Sequence, residues 1–375
     1  MRAARAGGVR DVDRFATLQT ATPVPCPPEF DGAAPAVPDP VFETTARAMQ
    51  SWPRAALRIF VRYAITLAAI IVIVFALPRA MPGDPLAVYD SVETPLTPDA
   101  RAALEEFYGL DRPLPDQFRA FVSHLFRGDL GHSIASGMPV DDLVRDRLPW
   151  TMLLAATALL AASAVSFGAG LTAAWRRGGR KDRALVTGMV AVNSIPEYAI
   201  AAVFMLAFAF VFPVFPTTGA RAPFPTYATP LHEIGDIAFH LALPAAALTL
   251  SLLGTKFLLV RNTVLSALGQ EYMLLARAKG LSDRRIKYHH AGRNAVVPFL
   301  TVLGMQAGFA IGGSLFVETV FAYPGMATLI RSAIDNRDFP VLDASFLVLA
   351  VVVLLANLLV ELVVARLDPG MRAPG

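Results

Sequence analysis

The chain has 375 residues, of which 55% are hydrophobic and only 17% are charged, and its mean hydropathy is +0.50. This apolar content exceeds what a water-soluble domain needs for its core, so composition excludes an ordinary soluble protein and indicates a protein of the lipid bilayer. The net charge of +3 is small and gives no indication of a nucleic-acid partner. The single cysteine, Cys26, excludes an intrachain disulfide and a cysteine-based metal site.

The N-terminal 50 residues differ from the rest of the chain. They contain seven prolines, all between Pro23 and Pro40, and show no apolar period. Such a composition is typical of a disordered tail. A secretory signal peptide is not expected, because the first apolar run begins only near Leu57 and no small-residue cleavage pattern follows it.

Six apolar stretches are long enough to cross a hydrocarbon core, which needs about 20 residues of helix. The predicted spans are 57–77, 150–175, 184–211, 237–260, 295–321 and 341–365. Between the first two spans, the polar stretch is expected to form short helices at 98–108 and 115–126. The sequence therefore predicts an all-α polytopic membrane protein with six transmembrane helices.

Lysine and arginine are distributed unevenly between alternate loops. The loop after the second span has five and the segment after the fourth has seven, whereas the two loops on the other side have one and two. Short cytoplasmic loops retain basic residues, so both termini and the 261–294 segment are expected in the cytoplasm. The region 79–148 is then extracytoplasmic.

Two polar residues of the third span are candidates for lining a pathway. Glu197 directly follows Pro196, which is expected to break the helix and free a carbonyl group. An acid at membrane depth normally faces protein or water, because exposure to lipid is costly. Glu197 and Asn193 are therefore pathway candidates, with Glu197 contacting a cation or a peptide's ammonium group. A structural pair with another subunit is the alternative.

The fourth span contains Gly254-Thr255-Lys256, which has the lysine of a phosphate loop but lacks its upstream glycine. We interpret it as helix packing followed by a lysine that reaches the membrane surface. Since no other residues suggest a convergent nucleophile and base or a metal cluster, the sequence predicts neither a catalytic nor a metal site.

The 261–294 segment is neither apolar enough to insert nor polar enough to be disordered. Residues 271–279 are good helix formers with an acid in the first turn and bases in the last, as the helix dipole favours. Gly280 can end this helix in a left-handed conformation, and Ser282 can cap a second short helix that runs to His289. This helix–turn–helix is expected to dock a soluble partner; a loop lying on anionic headgroups is the alternative.

The last two spans contain two acids and a set of glycines for which roles are expected. Glu318 is a third pathway candidate, with ordering of the 323–325 turn as its alternative role. Glycines between 304 and 313 recur at spacing four and indicate close helix contact, expected with a second subunit. Near the end of the sixth span, Glu361 is expected to pair with Arg366.

Several motifs in order along the chain carry a family resemblance. In the 261–294 segment they are Glu271, Ala276, Arg277, Ala278, Lys279, Gly280, Leu281 and Ile286, and Pro298 follows just after it. Elsewhere they are Pro82-Gly83-Asp84-Pro85, 108–115, 127–131 with Ser133, 318–321 followed by Pro324-Gly325, and Leu367-Asp368-Pro369. Together they resemble membrane subunits of binding-protein-dependent ATP-binding-cassette importers, in the branch for dipeptides, oligopeptides and nickel.

The resemblance implies a type I importer permease (MetI-like) fold in a bacterial inner membrane. The implied organisation is a cytoplasmic tail at 1–50, a first transmembrane helix at 51–78, an extracytoplasmic region at 79–148, a five-helix permease core at 149–366 with an ATPase-coupling loop at 261–294, and a cytoplasmic tail at 367–375. Such a permease pairs with a homologous sister permease, and the pathway for short peptides lies between them.

The same resemblance implies two ATPase subunits, which bind ATP and Mg, and an extracytoplasmic substrate-binding protein; membrane lipid surrounds the complex. The chain itself would hold no cofactor and would not be an enzyme. Nickel or another small solute is an alternative cargo. An ion-coupled secondary transporter, with Glu197 as its ion site, is an alternative of another class, but no two halves of the chain repeat.

Overall fold

The computed structural model describes residues 40–89, 96–224 and 226–367, with side chains described between Leu57 and Arg366. The chain divides into two units, Met1–Gln50 and Ser51–Gly375. In the described residues the only strand-like pairing is an isolated bridge between His132 and Pro139. The all-α architecture predicted from the sequence is confirmed.

Thirteen α-helices are present in the described residues. They are α1 (Pro40–Arg79), α2 (Pro98–Tyr108), α3 (Leu114–Phe126), α4 (Val140–Trp175), α5 (Arg180–Asn193), α6 (Glu197–Met205), α7 (Pro230–Ser251), α8 (Leu253–Leu268), α9 (Glu271–Ala278), α10 (Asp283–Arg285), α11 (Gly292–Val320), α12 (Met326–Asp335) and α13 (Phe339–Leu367). A short 3₁₀ helix covers Pro85–Tyr89, and π-helical turns cover Leu206–Val211 and Ile286–Ala291.

Five helical segments are long and apolar enough to cross a membrane, and a sharply bent pair would make a sixth. The five are Leu57–Arg79, Val140–Trp175, Pro230–Ser251, Asp283–Val320 and Phe339–Arg366. They correspond to five of the six predicted spans, but the segment that matches the fourth ends at Ser251, and most of the remainder of the predicted 237–260 lies in α8.

The third predicted span is not one continuous helix. It consists of α5 and of Glu197–Val211, which meet at 99°. Pro196 causes the break, because its ring disfavours helical geometry at Ile195 and it has no N–H to continue the hydrogen-bond ladder. The predicted break at Pro196 is confirmed, and the bent pair corresponds to the third predicted span, 184–211.

The region before α4 contains the two predicted short helices. Thr97 caps α2 by accepting a hydrogen bond from the Ala100 N–H (3.3 Å), and Gly109 ends it with φ +65°. The helix of the second span begins at Val140, ten residues before its apolar stretch.

Most of the predicted disordered tail lies outside the described residues. Where the two overlap, the described backbone is helical from Pro40 onward. Pro40 is the last of the clustered prolines and occupies the first helical position, which proline tolerates. The helical residues that follow it up to Gln50 include neither glycine nor proline. Residues 368–375, predicted as a tail, are also outside the description.

α4 and α8 form the most extensive helix pair of the described structure. Their close approach depends on Gly170, since a Cβ atom there would lie 2.9 Å from the Phe257 carbonyl oxygen and 2.9 Å from the Val260 Cβ. The Ser166 hydroxyl also donates to the Leu253 carbonyl (2.9 Å) across the same seam. Small residues at such a seam let two backbones approach in a membrane.

The expected pair of Glu361 with Arg366 is wrong. Glu361 accepts hydrogen bonds from the Arg62 guanidinium (2.6 Å for Oε1), not from Arg366. Residues five apart on a helix lie on different faces, whereas α1 runs beside Glu361. The glycines of α11 pack within this chain: a Cβ at Gly304 would meet Val360 at 3.0 Å and one at Gly308 would meet Val353 at 3.2 Å. A Cβ at Gly312 would meet no atom within 4 Å, and the expected contact of these glycines with a second subunit stays a prediction.

Candidate functional site

The first helix of the 261–294 segment forms as predicted. α9 begins at Glu271 and ends at Ala278, and Gly280 has φ +72°. The Gly280 N–H donates to the Arg277 carbonyl (2.9 Å) and the Leu281 N–H to the Ala276 carbonyl (3.3 Å). This pair of bonds is the Schellman motif, which requires a left-handed residue at Gly280.

The second short helix is different from the prediction. Ser282 has the extended backbone of an N-cap, but its side chain makes no capping hydrogen bond, and α10 is only three residues long. The chain then passes through the π-helical turn Ile286–Ala291 directly into α11, so the helix does not end at His289. Gly292, the nearest residue that could end it, has helical angles (φ −65°).

α9 has a buried face and an exposed face. Met273 and Ala276 are 1% and 6% exposed and pack into a small hydrophobic cluster with Ile286. On the other side, Leu274 and Leu275 are 67% and 56% exposed. An exposed apolar patch rimmed by polar residues is typical of a contact surface.

The eight predicted coupling residues therefore divide into two groups. Ala276 and Ile286 are buried, Leu281 is half-buried, and the remaining five are exposed: Glu271, Arg277, Ala278, Lys279 and Gly280. Leu274 and Leu275 were not predicted as contact residues. Their signal was an apolar pair next to Met273, since adjacent residues on a helix cannot all face the same core.

The segment is tied to the ends of α4 and α5. Arg261 donates to both carboxylate oxygens of Asp182, from Nε at 2.7 Å and from Nη2 at 2.9 Å. The Gly178 N–H adds a third bond to Asp182 at 2.9 Å. The Lys287 ammonium donates to the Thr172 hydroxyl (3.3 Å). A bidentate arginine–carboxylate pair fixes orientation as well as distance.

A second candidate site lies where α5 and α6 meet. An open pocket of about 640 Å³ is lined by the break at 194–196 and by residues of α8 and α11. Asn193 and Glu197, the two pathway candidates of the third span, both face it. The Asn193 side chain packs against Gly254 and the Glu197 side chain against Gly313, where the missing Cβ leaves space. A Cβ at Gly254 would lie 2.6 Å from Asn193 Oδ1.

Gln306 is the residue of this pocket that the sequence analysis missed. It is 9% exposed, and its Oε1 has no hydrogen-bond partner in the described structure. Within the same described ranges, Glu197 makes neither a hydrogen bond nor an ion pair. A signal was available, because Gln306 is the only side-chain amide between 295 and 321.

Glu318 does not belong to this pocket. Its side chain is fully buried, and its Oε2 accepts from the Ala327 N–H (2.9 Å) in the first turn of α12. The backbone at Gly325 leaves the space for it, since a Cβ there would overlap Glu318 Oε2. The structure thus gives Glu318 the alternative role, ordering the turn before α12.

Lys256 does not reach the membrane surface as expected. Its side chain is 0% exposed, and Nζ has no hydrogen-bond partner among the described residues. The fourth span was expected to end near Val260, but α8 continues to Leu268. Twelve residues of helix, about 18 Å, separate Lys256 from the end of α8.

Comparison with known proteins gives consistent results. Residues 166–373 match the family model described as binding-protein-dependent transport system inner membrane component. The chain is similar to a probable peptide ABC transporter permease protein of Sinorhizobium fredii, with 34% identity over 84% of this chain and 98% of that protein. It is also similar to a putative peptide permease protein of Brucella ovis, with 32% identity over 82% of this chain and 95% of that protein. A glutathione transport system permease protein of Salmonella choleraesuis is 32% identical over the same shares of the two chains.

Proposed function

The chain belongs to the family of inner membrane components of binding-protein-dependent transport systems, and from this premise we propose that it forms half of a peptide pathway driven by separate ATPase subunits. As a family member it is a multi-pass permease component of an ATP-binding-cassette importer. The finer proposal has three parts: the ATPase contact, the sister subunit and the cargo.

The observation that carries the proposal is the two-faced helix α9. Its inner face is fixed to the chain's own core by Met273 and Ala276, while Leu274 and Leu275 are exposed beside Arg277. A helix that displays apolar residues on a rigid support fits a groove in a soluble partner. We assign that groove to an ATPase subunit, which binds ATP and Mg; this chain takes no part in hydrolysis.

The connection from α9 to the spans supports a role in coupling. From Asp283 the chain is helical through the π turn into α11, and α8 is clamped to α5 by Arg261 and Asp182. Displacement of α9 therefore moves the helices next to the pocket at 194–196. Packed elements with two discrete arrangements are the usual means of such gating.

The remaining parts of the proposal concern orientation and partners. The 261–294 segment and both termini lie in the cytoplasm, where the basic residues concentrate. A homologous sister permease completes the pathway, and an extracytoplasmic binding protein meets the opposite side, delivering short peptides. The names of the relatives, which mention peptide and glutathione, favour peptides over nickel or another small solute.

The test is uptake of a labelled short peptide into vesicles that contain the full complex. We expect uptake that requires ATP, the ATPase subunits and the binding protein. Uptake driven by an ion gradient without an ATPase would refute the importer and favour the ion-coupled alternative.

Variants of α9 test the coupling. Gly280→Val forces a β-branched side chain into a left-handed conformation, at a cost of about 1–2 kcal/mol, whereas Gly280→Asn tolerates it. Since a Cβ at Gly280 meets no atom within 4 Å, the two variants differ in backbone strain and not in packing. Gly280→Val and Leu275→Glu should lose ATP-linked uptake while remaining inserted, and Gly280→Asn should keep it. Normal uptake in both Gly280→Val and Leu275→Glu would contradict the assignment of α9.

A further inference from the structure

The pocket at the junction of α5 and α6 has an unusual balance of polar groups. Among the described residues that line it, Glu197 is the one ionisable side chain, and no lysine, arginine or histidine faces it. The other polar side chains are the amides Asn193 and Gln306 and three hydroxyls. The lining therefore has one acid and no base.

Acceptor atoms in this pocket are left without donors. Gln306 Oε1 is buried and has no partner, and the Glu197 carboxyl has neither a hydrogen bond nor an ion pair within the described structure. An unsatisfied buried acceptor is destabilising, so such an atom is expected to meet a donor when the protein works. Glu197, which is half-buried, and Gln306 line the same cavity, so a ligand with several donors can meet both residues once the buried Gln306 amide turns toward it.

The position of Glu197 in the chain places its carboxyl group in the pocket. It is the first residue of α6, where the helix dipole favours a negative side chain. Its Cγ lies 3.7 Å from where a Cβ of Gly313 would be, so that α11 leaves room for the carboxyl group. The start of α6 and the space beside Gly313 of α11 therefore position the Glu197 carboxyl group, and no basic side chain of the described residues does so.

The chemistry of the acceptors selects the kind of cation. One carboxylate, amide carbonyls and hydroxyls are hard oxygen ligands, and the lining has none of the imidazole or thiolate groups that bind nickel well. A primary ammonium group has three donors and one charge, which match one carboxylate and one or two neutral acceptors. Met305 and Phe309, 64% and 68% exposed, form an apolar rim beside it.

We propose that this pocket is a subsite for a primary ammonium group, with Glu197 supplying the charge and Gln306 Oε1 accepting one of the three N–H bonds. The inference rests on the proposed function, in which the ammonium group is the amino terminus of the peptide in transit. The apolar rim then faces the first side chains of that peptide. Binding is transient, since only one charge holds the group.

The first experiment measures the sign of the charge without transport. In the full complex with Cys26→Ala, a single cysteine is placed at the exposed, pocket-lining Thr255 (Thr255→Cys), and its reaction rates with a cationic and an anionic methanethiosulfonate are compared. We expect the cationic reagent to react preferentially and Glu197→Gln to lower that preference by about tenfold. Glu233→Gln, which removes an acid of α7 outside the pocket, is the matched control and should leave the preference for the cationic reagent unchanged.

The second experiment separates an ammonium group from other cations. A dipeptide amide with a free amino terminus should protect the thiol introduced by Thr255→Cys from modification, and its N-acetylated form or an equal concentration of potassium should not. Gln306→Leu should weaken this protection but keep the reagent preference, because it removes an acceptor and not a charge. Equal protection by both peptides, or by potassium, would overturn the ammonium subsite.

The two proposals fail in different ways. If the thiol-modification results hold but the complex shows no ATP-linked uptake, the proposed function fails and the subsite stands. If uptake is normal while Glu197→Gln leaves the reagent preference unchanged, the subsite is refuted and the proposed function remains.

Discussion

Replacement of Gly170 by alanine tests the packing of α4 against α8 directly. The added Cβ would lie 2.9 Å from the Phe257 carbonyl oxygen and 2.9 Å from the Val260 Cβ. Both distances are several tenths of an ångström below ordinary contact, and the first involves backbone, which cannot rotate away. The two helices must therefore separate or shift along their longest seam.

The magnitude follows from a comparison with Gly168, two residues away on the same helix. Alanine in place of helical glycine gains about 1 kcal/mol from helix propensity at either position. A Cβ at Gly168 meets no atom within 4 Å, so Gly168→Ala should keep that gain. At Gly170, overpacking costs about 1–3 kcal/mol, and Gly170→Ala should be less stable than Gly168→Ala by about that amount.

The assay is thermal unfolding of the purified complex in detergent, followed by intrinsic fluorescence, with both variants in the same preparation. We expect the midpoint of Gly170→Ala to lie below that of Gly168→Ala. Equal midpoints would show that α4 and α8 are not packed at Gly170 as described, and the close approach would have to be abandoned as an explanation.

Three further predictions concern charged groups. Asp338→Ala removes the acceptor of the Ile134 and Ala135 N–H groups (3.1 and 3.2 Å) and should cost about 1–3 kcal/mol in thermal unfolding; an unchanged midpoint would contradict this. Arg261→Lys keeps the charge but cannot form the bidentate hydrogen bonds with the Asp182 carboxylate, so we expect the free energy of unfolding to fall by about 1 kcal/mol. A thermal midpoint equal to that of the wild type would contradict this. Burial raises the pKa of Asp84, but the Leu86 N–H and Arg101 lower it by more, and the net pKa lies below the ordinary value. The stability difference between wild type and Asp84→Asn should therefore be present at neutral pH and shrink below about pH 4, and a difference that is constant down to about pH 3 would refute the pairing.

Local sequence signals predicted the elements well. α2, α3 and α9 begin and end within a residue of the expected positions, because prolines, an N-cap threonine and left-handed glycines act on adjacent residues. Pro196 was likewise recognised as a break from its position alone. Five apolar spans followed from the length of their stretches.

Contacts between residues that are far apart in the sequence could not be predicted from local signals. Arg62 and Glu361 are 299 residues apart, and nothing local indicates that α1 lies beside α13. The same limit explains Lys256, whose burial depends on how far α8 extends and on what covers it. Gln306 was visible as an amide in an apolar run, but only the bend at Pro196 brings it to the same pocket as Glu197.

The absence of a loop between α10 and α11 has a geometric consequence. Asp283–Val320 is one helical segment of 38 residues, about 57 Å long at 1.5 Å per residue. If the Asp283 end of this segment is fixed, a tilt of about 5° moves the Val320 end by about 5 Å, roughly one turn of helix. The π-helical turn Ile286–Ala291 lies within the first turns of this segment and is its one described departure from regular α-helix. An angular change of a few degrees at the base is thus enough to shift Glu318 and the start of α12 by the width of a side chain.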